Sequence, residues 1–478
     1  MFNNFTTSYK ELFKKACNKE NFINLKQLIL SNDNIKLAVN TIKESINLKT
    51  VGIDNLSITD LLQYSIEDII NHLKQLSQVN YITKPVIAKQ IINKNGQIQY
   101  IGIPTIWDRL FQQCILQVIE PICIAHFYKR NYSYKPQGTI SNVISIVYNR
   151  LQLNKIYNVL EIDIHDFYNH VNHSKLIKQL WTLGIHDKWL IYQLKTILST
   201  PIIFNKKIIH LKCGLIQSGI LQPLLLNVVL NEFDHWIASQ WEENIIINNY
   251  TNKLNKNGVI NKGSSYSAMR RTKLKEMYLV RYNDNILIFV KQKKDVLNIQ
   301  LAINKWFNKR LKYQLNLSNI KGINATKQYF NFLGFKIKTV LNHKKYVVQS
   351  HINDYQLKII LNKLKKCIIN IQHASRQDIF NTIKKFNEII FNTHLYYRFA
   401  THINNDCSKL GKIIHKLIFN RLQGLKKQGR KLTILEKKYY GKSKMLRYFN
   451  NEPLYPIGYV QHKYPIGYKE SNFDVLRI

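Results

Sequence analysis

Two apolar runs, Met277 to Tyr282 and Ile286 to Val290, flank the polar triplet Asn283-Asp284-Asn285. A strand-turn-strand of this kind constrains the fold more than any other stretch of the chain, and it leaves one carboxylate at the tip of the turn. Tyr157 to Ile164 reads as a further apolar strand, on which Val159, Glu161 and Asp163 share one face, so two carboxylates point the same way. Val86 to Pro104 alternates around the turn Asn93-Lys-Asn-Gly96 and predicts a hairpin, and Ile202 to Leu211 is strand-rich.

Helical segments surround these strands. Phe2 to Leu76 carries apolar residues at three and four spacing, interrupted by the loop at Lys49 to Asp54, and Trp107 to Phe127 and Leu176 to Leu198 continue the pattern. Gly214 to Trp236 begins as a loop and becomes a helix. Glu243 to Lys275 is polar, basic and without apolar period, which predicts an exposed loop or linker. From His351 the chain turns to long lysine-rich amphipathic helices. The expected divisions are an N-terminal helical region 1–78, a mixed region 79–350, a helical region 351–450 and a tail 451–478. The tail repeats Tyr455-Pro-Ile-Gly-Tyr459 as Tyr464-Pro-Ile-Gly-Tyr468, two copies being too few for a repeat architecture.

Of 478 residues, 45% are hydrophobic, enough for a sizeable core and, at roughly 100–200 residues each, two to four domains. Lys and Arg number 70 against 29 acidic residues, a formal charge of +41. Such an excess points to a polyanionic partner, RNA or DNA, because each neutralised phosphate releases counterions. An AT-rich genome that inflates lysine is the competing explanation. The six cysteines are far apart and include no C-x-x-C pair, which argues against zinc and against a disulfide framework. The start, MFNNFTTSYKELFKK, lacks the marks of a secretory signal or transit peptide. No apolar stretch approaches the roughly 20 residues that cross a bilayer, so no membrane partner is expected.

Nucleotidyl transfer uses two divalent ions held by carboxylates, and Asp163 at a strand end and Asp284 on a hairpin tip are suitable candidates. Their surroundings carry a resemblance. Gly102-Ile-Pro-Thr-Ile-Trp-Asp-Arg109 with Gln112, Glu120-Pro121, Tyr132-Ser-Tyr-Lys-Pro136, Asp163-Ile-His-Asp-Phe-Tyr-Asn-His-Val-Asn-His173, Gly214 to Leu225 with Asn227, Tyr282-Asn-Asp-Asn285 and Phe332-Leu-Gly-Phe335 occur in that order. Together they resemble the group II intron reverse transcriptase/maturase family across nearly the whole chain. The resemblance implies an α+β fold, a right hand of fingers and palm followed by a helical thumb and maturase domain. It also implies that Asp163 and Asp284 stand where the family holds Mg2+.

The departures fall on the positions where a polymerase has least freedom. Asn285 replaces the second carboxylate of the turn, Gln99 stands in place of a finger arginine, and Ser218 and Gln222 alter the glutamine-glycine loop. Lys321 is retained, followed by Gly322 in place of a threonine; Asp166, three residues after Asp163, is a candidate to compensate for the missing carboxylate, although it replaces a glycine of the pattern. The reading is a weakened metal centre, with catalysis absent, in a protein whose task is to bind intron RNA and promote its splicing. Two alternatives stay open: an active RNA-directed DNA polymerase, and a general RNA-binding splicing cofactor.

RNA recognition is expected in the C-terminal region, where Asn392 to Arg398 and the Lys412 to Lys431 run resemble the thumb and maturase domain. Tyr396, Tyr397 and Arg398 offer flat faces for stacking on unpaired bases, or serve as packing residues of a helix. Arg421, Lys426, Lys427, Arg430 and Lys431 crowd like charge at one helix end, which asks for a polyanion. No paired cysteines follow, so no nuclease domain is expected. The composition and the family pattern together suggest an organelle, plastid before mitochondrion, and a homodimer is compatible with them.

Overall fold

A computed structural model describes residues 3–44, 51–77, 81–92, 98–133, 139–205, 207–215, 219–244, 253–254, 260–261, 263–315, 317–375 and 377–461. Helices and sheets mix throughout, so the fold is α+β. The chain divides into two compact units. The first holds residues 1–138, 162–286 and 294–320, and the second 139–161, 287–293 and 321–478.

The first unit opens with the expected helices, among them Asn3–Cys17, Asn32–Lys43 and Ile66–Leu76. Asn32–Lys43 starts where Ser31 accepts the Asn34 amide, and it buries Ile35, Ala38, Val39 and Ile42 on one stripe. Ile106–His126 is buried nearly all round. Its first turn is fixed by Thr105, whose hydroxyl accepts the Asp108 amide at 3.1 Å and donates to the Asp108 carboxylate at 2.6 Å. Strands Val86–Ile92 and Ile98–Ile103 form the predicted antiparallel hairpin, with Ile92 opposite Ile98, although the turn at Asn93 to Gly96 lies outside the described residues. The first of these strands also pairs in parallel with Ile202–Phe204, which pairs with Lys207–Ile209.

A second four-stranded sheet has the order Ile320–Asn324, Asn158–Asp163, Asn285–Val290, Met277–Tyr282. Leu279, Val280 and Ile286 to Val290 are all buried, which is why both strands of the Met277–Val290 hairpin read as continuous apolar runs rather than alternating ones.

The second unit contains a three-stranded meander, Phe330–Phe332, Phe335–Asn342 and Lys345–Ile352. Three 19-residue helices follow, Asp354–Gln372, Ile379–Tyr397 and Ile403–Arg421. The change from strand to helix near residue 350 is made at Asn353, whose side chain accepts the Tyr355 amide at 2.8 Å. Ile360, Leu364, Ile368 and Ile371 form the buried stripe of the first long helix, and each apolar side chain so placed is worth about 1.5–3 kcal/mol.

The first Tyr-Pro-Ile-Gly-Tyr copy packs on these helices. Tyr455 stacks on Tyr440 with centroids 4.2 Å apart, the Ile457 carbonyl accepts from His394 Nε2 at 2.8 Å, and Gly458 lies against Gly411. The second copy lies outside the described residues.

One expectation is corrected. Within Glu243 to Lys275, read as a linker, Gly263–Arg270 is a helix with Met269 fully buried. Arg270 closes it with a two-pronged contact to Glu276, 2.8 and 3.0 Å, a tertiary anchor that the local polar composition hides.

Candidate functional site

The Asn158 side-chain amide donates to the Val290 carbonyl at 3.3 Å, so the start of one strand meets the end of its neighbour. The two strands therefore run antiparallel, and Asp163 and Asp284 arrive at the same end of the pair. The sheet brings together the two carboxylates that the sequence singled out. Glu161, on the same strand face as Asp163, is committed elsewhere: its carboxylate accepts the Asn331 amide at 3.2 Å.

Beside Asp284, Asn285 donates its Nδ2 to Asp284 Oδ1 at 3.1 Å. The carboxamide thus occupies a lone pair that a divalent ion would need and supplies no charge of its own. Among the described residues no group of three or more His, Cys, Asp or Glu is placed to hold a metal ion, and the Asp166 side chain is not among those described. Among the described side chains, Asp163 and Asp284 are the carboxylates at this end of the strand pair, and one of them is engaged by an amide. Tyr168 stands near Asp284, and burial, reinforced by that carboxylate, pushes its phenol far above the ordinary range.

The turn is held from below by groups that the sequence reading did not nominate. Arg281 and Asp234 are both fully buried, and the Arg281 Nε contacts both Asp234 oxygens at 2.7 and 3.0 Å. Arg281 Nη1 donates to Asn227 Oδ1 at 2.6 Å and to the Asn283 carbonyl at 2.9 Å. Asn227 donates in turn to Asn283 Oδ1 at 3.2 Å, and the Asn283 amide donates to Ser133 Oγ at 2.6 Å. These bonds knit Arg281, Asp234, Asn227 and Ser133 to the base of the turn, and Asn283 takes the left-handed φ of 52° that asparagine tolerates. The signal in the sequence was a charge inside each of two apolar runs, Arg281 in a strand and Asp234 in a helix.

Other motif strings are tied to one another. Gly214, at φ 95°, lies so close to Asn169 that a Cβ would sit 2.8 Å from its carbonyl oxygen. The Gly214 amide donates to Val171, the Leu215 amide to Tyr168, and the Gly214 carbonyl is 2.7 Å from His173 Nε2. Gln112 accepts the Ile220 amide at 3.2 Å. Ser218 and Tyr134 to Pro136 lie outside the described residues, as do the side chain of Gln99 and the part it would play.

In the second unit the nominated residues separate. Tyr397 is 6% exposed, with its ring 5.0 Å from Phe335, and it is a packing residue rather than an open π-face. Tyr396 donates its hydroxyl to the Leu333 carbonyl at 3.1 Å, and Arg398 lies over Phe399 at 4.8 Å. Of the basic cluster only Arg421 is helical, which corrects the single helix end expected from sequence, since Lys426 to Lys431 follow in the loop. Arg421 donates to Gln372 at 3.2 Å. Arg430 is taken up by Glu436 and Glu452, each at 2.8 Å, and joins chain segments. Lys426, Lys427 and Lys431 are exposed. No described helix is long and apolar enough to cross a membrane.

The reverse transcriptase (RNA-dependent DNA polymerase) family model matches residues 87–337, the span that contains the carboxylate turn, its clamp and the Gly214 loop. Protein YkfC of Escherichia coli is 26% identical over 309 residues, covering 60% of this chain and 76% of that protein. The putative COX1/OXI3 intron 2 protein of Saccharomyces cerevisiae is 23% identical over 368 residues, 70% of this chain and 42% of its own length. The group II intron-encoded protein LtrA of Lactococcus lactis is 26% identical over 219 residues, 46% of this chain and 36% of its own. This chain thus spans less than half of the latter two. With the motif order, the antiparallel carboxylate strands and these relatives in agreement, the chain belongs to the reverse transcriptase family, of the group II intron reverse transcriptase/maturase type.

Proposed function

We propose that the protein is an intron maturase: it binds group II intron RNA, or a related degenerate intron, and promotes splicing while the RNA performs the chemistry. In this reading residues 79–350 are fingers and palm, 351–450 the thumb and maturase region, and the polymerase centre at Asp163 and Asp284 is vestigial. The observation that carries it is the Asn285 amide donated to Asp284, where a polymerase of this kind would place a second carboxylate. The charge of +41 supports an RNA partner, since phosphate contacts supply most of the affinity for nucleic acid. Intron names among the relatives support the choice of RNA.

Binding energy is sufficient for the task. A protein that binds the folded RNA but not its unfolded forms shifts the folding equilibrium in proportion to its concentration over Kd. Catalysis is not required of the protein, and Mg2+ has at most a weak place at the turn. The same reading puts the protein in an organelle, plastid before mitochondrion.

Splicing assays with purified protein test it. The expected result is that Asp163→Asn and Asp284→Asn leave intron binding and splicing within about twofold of the parent, while primer extension on an RNA template stays at background. Robust DNA synthesis abolished by Asp284→Ala would establish the polymerase reading instead. The two retained carboxylates, Asp163 and Asp284, are what favour that alternative. Capture of RNA followed by sequencing separates one intron from many transcripts, the latter being the general cofactor.

A further inference from the structure

The Ile403–Arg421 helix exposes Lys409, Lys412 and Lys416 and, one turn on, Phe419. Successive lysines rise about 4.5 and 6 Å along the axis, so they form one row. The helix contains a single acid, Asp406, which is buried beneath the Ile352 amide at 2.9 Å and His351 Nδ1 at 3.0 Å. No carboxylate of this helix therefore offsets the row, and its lysines repel one another.

Phe419 ends the row and is 49% exposed. The His415 ring lies 4.5 Å from it, tilted by 44°, and the Arg447 guanidinium stands 5.8 Å from its centroid. Arg447 is fixed there, because Nη1 donates to the Lys444 and Leu446 carbonyls at 3.0 and 2.7 Å. A lone exposed phenylalanine is ordinary surface. One bracketed by an imidazole and a tethered guanidinium at the end of a lysine row is an arrangement with a use, since flat cationic and aromatic groups are what an unstacked base lies against.

We propose that Phe419, with His415 and Arg447, stacks an unpaired base of the bound RNA, and that Lys409, Lys412 and Lys416 follow the backbone of the same strand. The proposal rests on the RNA-binding reading above and adds to it the class of RNA: single-stranded nucleotides, a loop, bulge or junction, at this helix. A duplex hides its base faces and offers the row only phosphates. The role passes here from Tyr396 and Tyr397, whose rings lie against Phe335.

The test uses the full chain and two probes of equal length, a single-stranded RNA carrying 2-aminopurine and a blunt duplex RNA. Phe419→Ala lowers affinity for the single strand about 10-fold or more and removes the quenching of 2-aminopurine, with the salt dependence unchanged. Phe419→Trp retains both signals. Lys412→Gln with Lys416→Gln flattens the dependence of affinity on salt for both probes. Parent-like binding of the single strand by Phe419→Ala, or an equal loss on both probes, overturns the stacking role while the RNA-binding reading stands. A parent protein that binds neither probe overturns both. Phe419 is half exposed, so its replacement leaves the core untouched.

Discussion

The base of the Asn283-Asp284 turn and the exposed face of the Ile403–Arg421 helix both concentrate charge, and they treat it in opposite ways. At the turn, Arg281 and Asp234 are wholly removed from water and paired with each other. On the helix, Lys409, Lys412 and Lys416 stand in solvent with no acid of their own helix beside them. A buried pair is costly to break and contributes little net stability over an apolar pair, so its value is geometric. An exposed row costs the fold little and acts on whatever approaches it. The contrast separates a pair that holds the shape of the turn from a surface that, under the proposed function, meets RNA.

The largest expected effect comes from breaking the buried pair. Arg281→Met removes the guanidinium that faces the buried Asp234 carboxylate, together with the donors to Asn227 and to the Asn283 carbonyl; a loss of about 3–5 kcal/mol is expected in urea unfolding. Asp234→Leu should cost a similar amount. The double variant Arg281→Met with Asp234→Leu should recover most of the loss, because no isolated charge remains. Additive losses would mean that Arg281 and Asp234 act independently, so that neither owes its cost to an isolated charge left by the other.

Acid should sort the two regions next. Burial drives the His394 imidazole down to about 4 from an ordinary 6.5, the Ile457 carbonyl opposing in part, so it is neutral when folded, donating to Ile457 and standing 3.3 Å from the Tyr440 hydroxyl. The unfolded chain binds that proton first, and stability present above pH 6.5 is lost as pH falls from 6.5 to 4, by about 3 kcal/mol. Glu436 adds a second window. Burial raises its carboxyl, but hydrogen bonds from Arg430, the Thr433 amide and Tyr455 outweigh this and hold it at about 2, so its contribution is lost between roughly pH 4.5 and 2. Urea midpoints across pH, followed by a probe in the second unit, should fall in the first window for the parent and stay flat there for His394→Gln.

Much of this was legible beforehand, for physical reasons that differ by region. The strand carrying Asp163, the hairpin carrying Asp284 and the long helix after Thr105 follow from local periodicity and capping, which the chain encodes within a few residues. The order of the motif strings carried the family. What could not be read were pairings between distant segments. Arg281 and Asp234 are 47 residues apart, and Arg430 with Glu452 22 apart, so no local pattern announces either. Tyr397 was unreadable for the same reason: its ring is buried by Phe335, which lies on a strand far earlier in the chain. The helix at Gly263–Arg270 was hidden by a polar sequence whose anchor, Glu276, lies outside it.

A smaller effect tests how the second unit is tied together. Gly334 sits at φ 79°, and a Cβ there would lie 2.6 Å from the Tyr397 hydroxyl. Gly334→Ala should cost about 1–3 kcal/mol in thermal or urea unfolding. Adding Tyr397→Phe removes the contacted oxygen and should return part of that cost, leaving the backbone term. A Gly334→Ala loss that Tyr397→Phe does not relieve would place all the strain in the backbone.

The smallest change in stability accompanies the most direct probe of the turn. Asn285→Asp replaces an amide that donates to Asp284 at 3.1 Å by a second carboxylate on a half-buried surface turn. Two like charges then share one site, which disfavours ionisation of both until a cation is present. Stability in metal-free buffer should therefore fall by at most about 1 kcal/mol, and millimolar Mn2+ should restore it. The parent should show no such response to Mn2+, because its amide satisfies Asp284 without help. An equal response in both proteins would mean that Asp163 and Asp284 hold an ion despite Asn285 and that the centre is not vestigial. Intron binding should be indifferent to the substitution, since the lysine row and Phe419 lie in the other unit.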